Sequence, residues 1–127
     1  MISRLDQIQL AMPPGGEDRA RGFWCDVLGM TEEVKLEQLA SRGGCWFRAG
    51  EIIVHIGVEK EFMPQKKAHP AFCVHDLGGL ARKFETAGYP VTPDDVLPNR
   101  QRFYTADPFG NRIEFIAEGD GFGQKKL

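Results

Sequence analysis

The chain repeats itself. Residues 5–58 and 69–117 each read as a strand, a helix and then three more strands. One helix can cover only one face of such a sheet. The other face is left to curl and line a hollow, the kind of surface where small ligands bind. The pattern therefore predicts an α+β fold: two tandem βαβββ modules forming a curved mixed sheet around a concave site. Residues 1–127 are expected to form one domain, with module one at 5–58, a linker at 59–68, module two at 69–117 and a tail at 118–127.

The elements follow from local pattern. Leu5–Met12 alternates, with Gln7, Gln9 and Ala11 on one face and Ile8, Leu10 and Met12 on the other. Pro13-Pro14-Gly15-Gly16 stops that strand. A helix is expected from about Glu17 to Leu28, because Ala20, Phe23, Trp24, Val27 and Leu28 recur at helical spacing, and Gly29 ends it. Short strands are expected at 32–35, 44–48 and 51–58, the last two joined by a tight hairpin at Ala49-Gly50. The stretch 36–43 between them is either loop or a short helical turn.

In module two, 69–74 reads as a strand. Asp76 is placed to cap a helix running to about Ala87, with Leu77, Leu80, Ala81 and Phe84 as its apolar stripe and Gly88 as its stop. Strands at 89–92, 101–106 and 112–117 follow, with a loop over 93–100 and the turn Asp107-Pro108-Phe109-Gly110-Asn111. The tail is polar, with Phe122 as its one docking side chain.

Polar residues stand at equivalent places in the two halves. Gln7 and His69 lie in the first strand of each module, and His55 and Glu114 in the last. Glu114 sits between Ile113 and Phe115 on a central strand, where an ionised carboxylate is costly unless paired or bound to a cation. Each residue alone has an ordinary explanation: a surface histidine, an ion pair with Arg112, a solvated amide. Their coincidence in a duplicated frame points to one shared metal site. Two imidazoles, a carboxylate and an amide oxygen suit Zn, Ni, Co, Mn or Fe(II) and leave positions open for substrate. His75 has no counterpart and reads as a surface residue.

Composition narrows the alternatives. Net charge is −2 and the isoelectric point about 5.9, which leaves no electrostatic footprint for nucleic acid or an anionic membrane. No apolar run is long enough to span a bilayer, and Met1-Ile2-Ser3-Arg4 lacks the layout of a secretory signal. Cys25, Cys45 and Cys73 form no CxxC pair and sit among apolar neighbours, so buried reduced thiols and a cytoplasmic location are expected.

Three segments carry a family resemblance: Leu5-Asp6-Gln7-Ile8-Gln9-Leu10-Ala11, Phe23-Trp24-Cys25-Asp26-Val27-Leu28-Gly29-Met30, and Asp107-Pro108-Phe109-Gly110-Asn111-Arg112-Ile113-Glu114-Phe115. With these the chain resembles the vicinal oxygen chelate superfamily, the glyoxalase, bleomycin-resistance and extradiol-dioxygenase group, over about Leu5 to Ala117. The resemblance implies paired βαβββ modules and usually a homodimer. It places Gln7 at the first-strand ligand position, His69 at the fifth-strand histidine and Glu114 at the last-strand glutamate, which in glyoxalase I also acts as base. His55 stands where glyoxalase I enzymes usually show glutamate. Gln7 departs from the first-strand histidine of extradiol dioxygenases and fosfomycin-modifying enzymes.

The function expected is that of a metal-dependent lyase or isomerase. Its divalent ion, held by Gln7, His55, His69 and Glu114, would chelate two vicinal oxygens of a small substrate and stabilise an enolate. Glu114 is the candidate catalytic base. Arg102, Tyr104 and Phe47 are the candidate substrate-binding residues, with Arg100 nearby as a further cation. The alternatives are a metal-free drug-binding protein that stacks its ligand on Trp46, Phe47 and Tyr104, and an Fe(II) dioxygenase using His55, His69 and Glu114. If the modules exchange between two copies, the Gln7 and His55 half of one copy meets the His69 and Glu114 half of the other.

Overall fold

The computed structural model describes residues 1–36, 41–96 and 99–119. It divides into two compact units, Met1–Pro64 and Gln65–Leu127. Each carries one four-stranded mixed sheet and its helix, as the duplicated pattern predicts.

The first unit runs β1 (Ile8–Met12), α1 (Glu17–Arg21), β2 (Thr31–Glu33), β3 (Cys45–Ala49) and β4 (Ile52–Val58). Its strand order is β1-β4-β3-β2, with β1 parallel to β4 and the remaining pairs antiparallel. The helix does not stay α-helical to Leu28 as expected. It widens into a π-helical segment over Gly22–Val27, where the Leu28 N–H donates to the Phe23 carbonyl at 3.2 Å. That segment buries the adjacent Phe23 and Trp24 together with Val27. Phe23 meets Trp24 edge to face at 5.0 Å, and Trp24 stacks on Phe47 at 6.4 Å. Gly29, at φ 75, supplies the left-handed turn that ends the helix.

The second unit runs β5 (Ala71–Val74), α2 (Leu77–Ala87), β6 (Thr92–Asp94), β7 (Arg102–Ala106) and β8 (Arg112–Ala117), in the order β5-β8-β7-β6. The Asp76 side chain caps α2 as expected, accepting the Gly79 N–H at 3.0 Å. Phe84 of α2 is fully buried and packs on Phe115 at 5.5 Å and Phe103 at 6.1 Å. So Ile113 and Phe115 face the helix and Glu114 faces away from it, as alternation requires.

The turn before β8 is a clasp. Asp107 is buried and its carboxylate accepts the N–H groups of Phe109 at 3.0 Å and Asn111 at 2.9 Å and the Asn111 side-chain amide at 2.9 Å. Asn111 in turn accepts the Gln65 N–H at 3.0 Å, and the Arg112 N–H donates to the Gln65 carbonyl at 2.9 Å. The turn therefore fixes where β8 begins relative to the segment leading into β5.

Several boundaries differ from expectation. Gln7 and His69 sit just ahead of β1 and β5. Pro70, which has no N–H to pair, follows His69, and β5 opens at Ala71. β2 ends at Glu33, short of the predicted Lys35. β6 lies at Thr92–Asp94, meeting the strand expected at 89–92 only at Thr92 and running into the expected loop; Pro93 is tolerated because β6 is an edge strand. Of the three thiols only Cys45 is buried, and its burial pushes it up to about 11. Cys25 is half-buried and Cys73 is exposed on the edge strand β5, against the expectation of burial. Phe122, and parts of the stretches 36–43 and 93–100, lie outside the described residues.

Candidate functional site

The strand register makes the two halves equivalent residue by residue. His55 on β4 lies opposite Gln9 on β1 and Trp46 on β3. Glu114 on β8 lies opposite Ala71 on β5 and Tyr104 on β7. Gln9 is two residues past Gln7, and Ala71 is two past His69. The same frame matches Trp46 to Tyr104 and Gly57 to Ile116.

In the second unit the structure brings His69 and Glu114 together. The His69 Nδ1 contacts the Lys67 carbonyl at 2.8 Å and its Nε2 contacts Glu114 Oε1 at 2.8 Å. A carbonyl only accepts, so Nδ1 carries a hydrogen and the ring is held with Nε2 aimed at the carboxylate. One proton is then shared between Nε2 and Oε1. The other carboxylate oxygen of Glu114 accepts from Arg102 at 3.1 Å, and Arg102 also reaches Asp94 at 3.2 Å. Glu114, only 5% exposed, is thus satisfied on both oxygens.

The ion-pair partner of Glu114 is Arg102 and not Arg112. The Arg112 guanidinium instead lies 3.9 Å from the Tyr104 ring centre, a cation–π contact. Tyr104 also meets His69 edge to face at 5.5 Å. Arg102 and Tyr104 therefore stand beside His69 and Glu114, with Arg102 already engaged by two carboxylates. His75 is exposed and 3.4 Å from Glu118.

In the first unit Gln7 and His55 line a hollow of about 370 Å³. The His55 ring lies on Trp46, with centroids 4.4 Å apart and planes 9° from parallel. Burial lowers the His55 pKa below the ordinary histidine value, and the positive Lys35 adds to this against the pull of Glu33 and Asp6. His55 is therefore neutral near pH 7, the form that binds metal. Gly57 also lines the hollow, and the Gln9 amide lies against it so closely that a Cβ there would clash. The equivalent Ile116 is buried.

Phe47 does not belong to this face. It follows Trp46 by one residue, so its side chain turns to the helix side, where it is fully buried against Trp24. The hollow's aromatic wall is Trp46. Sequence reasoning passed over Lys35 and Arg42, which also line it. Lys35 borders the 36–43 stretch and Arg42 lies within it, and no periodicity defines that stretch.

Among the described residues no three His, Cys, Asp or Glu side chains are grouped so as to hold a metal. The four predicted ligands occur as two pairs, one in each unit. Their donor types fit a divalent ion: neutral imidazole at His55, an Nε2 fixed in direction at His69, and a buried carboxylate at Glu114.

The profile of the Glyoxalase/Bleomycin resistance protein/Dioxygenase superfamily matches residues 5–115. A glyoxalase family protein from Bacillus anthracis is 44% identical in a structural match covering 94% of this chain and 98% of that one, with a TM-score of 0.88. The fosfomycin resistance protein FosX from Listeria monocytogenes is 16% identical, with a TM-score of 0.77 over 97% of this chain and 100% of its own. Lactoylglutathione lyase from Agrobacterium tumefaciens is 22% identical, with a TM-score of 0.63 over 87% and 91%. At these lower identities the likeness is one of fold. No curated protein sequence matches the chain.

Proposed function

The chain belongs to the Glyoxalase/Bleomycin resistance protein/Dioxygenase superfamily, and from that premise we propose that it is a metal-dependent lyase or isomerase acting on a small substrate with two vicinal oxygens. The observation that carries this reading is the fixed direction of His69. With Nδ1 tied to the Lys67 carbonyl, Nε2 and Glu114 Oε1 converge at 2.8 Å, an arrangement a cation can replace by taking the place of the shared proton.

Gln7, His55, His69 and Glu114 would hold the ion, one of Zn, Ni, Co, Mn or Fe. When bound, such an ion supplies Lewis-acid polarisation of the substrate oxygens, which favours the enolate. Glu114 takes the proton from the carbon alpha to the carbonyl. Its place on the sheet face opposite the helix, beside His69 and Tyr104, suits this role. Arg102 holds Glu114 in position between turnovers. Tyr104, edge-on to His69, forms the adjoining wall for substrate.

This reading requires the two ligand pairs to come together, in a homodimer by exchange of modules or within one chain. No helix among the described residues is long and apolar enough to cross a membrane, and three free cysteines suit a reducing compartment such as the cytoplasm.

One observation favours the metal-free binding alternative: Arg102 already neutralises Glu114. Metal analysis decides between the two. We expect stoichiometric divalent metal in the repleted wild-type protein, lost in His69→Ala and in Glu114→Ala. A wild type that stays metal-free after repletion sinks the enzyme reading. Size-exclusion chromatography with light scattering tests the dimer.

A further inference from the structure

Two cations, Lys35 and Arg42, line the hollow of the first unit, with Gln7 and Gln9 as neutral neighbours, and no carboxylate is among its described lining residues; the Glu17 carboxylate lies behind Gly43, where it accepts the Gly44 N–H. Among the described residues neither cation is ion-paired. Of the acids acting on His55, Glu33 has the larger effect, and that carboxylate is held by Arg48 at 2.7 Å. Lys35 is not loose. Its ammonium donates to the Gly43 carbonyl and lies 5.9 Å from the Trp46 ring centre, which leaves two of its three N–H donors for a ligand.

Trp46 provides a flat apolar surface in the same hollow, ordered by its stack on His55. The Gln9 amide lies over Gly57, in the place a side chain there would take, and forms part of the wall. A volume of about 370 Å³ sits at the small end of ligand sites, too small for a peptide or a dinucleotide.

We propose that this hollow is a subsite for a small oxyanion-bearing molecule with a planar unsaturated part: the anion lies between Lys35 and Arg42 and the flat part lies against Trp46. This deepens the functional reading and rests on it, because the subsite shares its wall with Gln7 and His55. The substrate class it assigns is a small unsaturated organic acid. A charge-assisted contact to each cation fixes the orientation of the molecule, and a neutral analogue forfeits both.

The test is a titration of the purified full chain with benzoate, benzamide and phenylphosphonate, read by tryptophan emission. Trp24 is 1% exposed, so a ligand in water reports through Trp46, and Trp46→Phe checks that assignment. The expected result is a saturable response to benzoate, with benzamide at least about tenfold weaker. Lys35→Met and Arg42→Met should each weaken benzoate by about tenfold. The ratio of benzoate to phenylphosphonate affinity tells a carboxylate subsite from a phosphonate one. Benzamide binding as tightly as benzoate overturns the proposal, as does wild-type benzoate affinity in the double variant or no saturable response to either anion. Metal content measured on the same samples keeps the two ideas apart. Anion preference without metal removes the metal reading and keeps the subsite; metal without anion preference does the reverse.

Discussion

His69 and Glu114 share one proton across 2.8 Å, because the Lys67 carbonyl claims the hydrogen on the other ring nitrogen. A divalent ion that takes both groups as ligands must expel that proton. Metal binding to the hydrogen-bonded pair should therefore release about one proton per site. Calorimetry in buffers of differing ionisation enthalpy measures it. Metal uptake with no proton release would mean that this pair is not the site of binding.

Arg102 competes for the same carboxylate. Its guanidinium donates to Glu114 at 3.1 Å and to Asp94 at 3.2 Å, so it places a positive charge next to the site proposed for a cation. Arg102→Met should raise metal affinity by about tenfold while lowering thermal stability, since two carboxylates lose their partner. Competition with a chelating dye reads the affinity. An affinity that falls would show instead that Arg102 orients Glu114 for metal.

The Asp107 clasp carries the register of β8. Burial raises the Asp107 pKa, while hydrogen bonds from Asn111 and Phe109 act the other way. Asp107→Ala leaves these buried donors without an acceptor and should cost about 2–4 kcal/mol in denaturant unfolding. It should also loosen His69 from Glu114, because the clasp joins both ends of that contact through Gln65 and Asn111. A loss under about 0.5 kcal/mol, the range of ordinary surface changes, contradicts the role given to the clasp.

His55 supplies the pH prediction. Its folded pKa is lowered by burial, so its contribution to stability is present above the ordinary histidine value and is lost as pH falls through the lowered one. In metal-free protein, acidification should quench Trp46 emission as the stacked ring gains charge, with a midpoint below 6.5. His55→Asn should abolish that step. A midpoint above 6.5 would contradict the stated environment.

Much of this was legible in the sequence, for a physical reason. Side chains on a strand alternate, so the polar positions His55 and Glu114 among apolar neighbours identified the face opposite the helix, and Asp76 and Gly88 marked the ends of α2. The differences lie where residue type and pattern point different ways. Trp46 and Phe47 are equally aromatic, but alternation leaves only one of them on the face of His55, and the register assigns that place to Trp46. The pairing of Arg102 with Asp94 was hidden because β6 contains Pro93 and reads as loop. Lys35 borders a stretch without period and Arg42 lies within it. The Lys67 carbonyl on His69 is a backbone contact that no side-chain pattern encodes.

Gly57 and Ile116 hold the same place in the two repeats, one bordering the hollow and the other filled in. In one half that place borders space open to a guest, with the Gln9 amide lying over it; in the other a buried side chain fills it beside a network of charges. A bulky residue at 57 would undo that division of labour without touching any group that does chemistry.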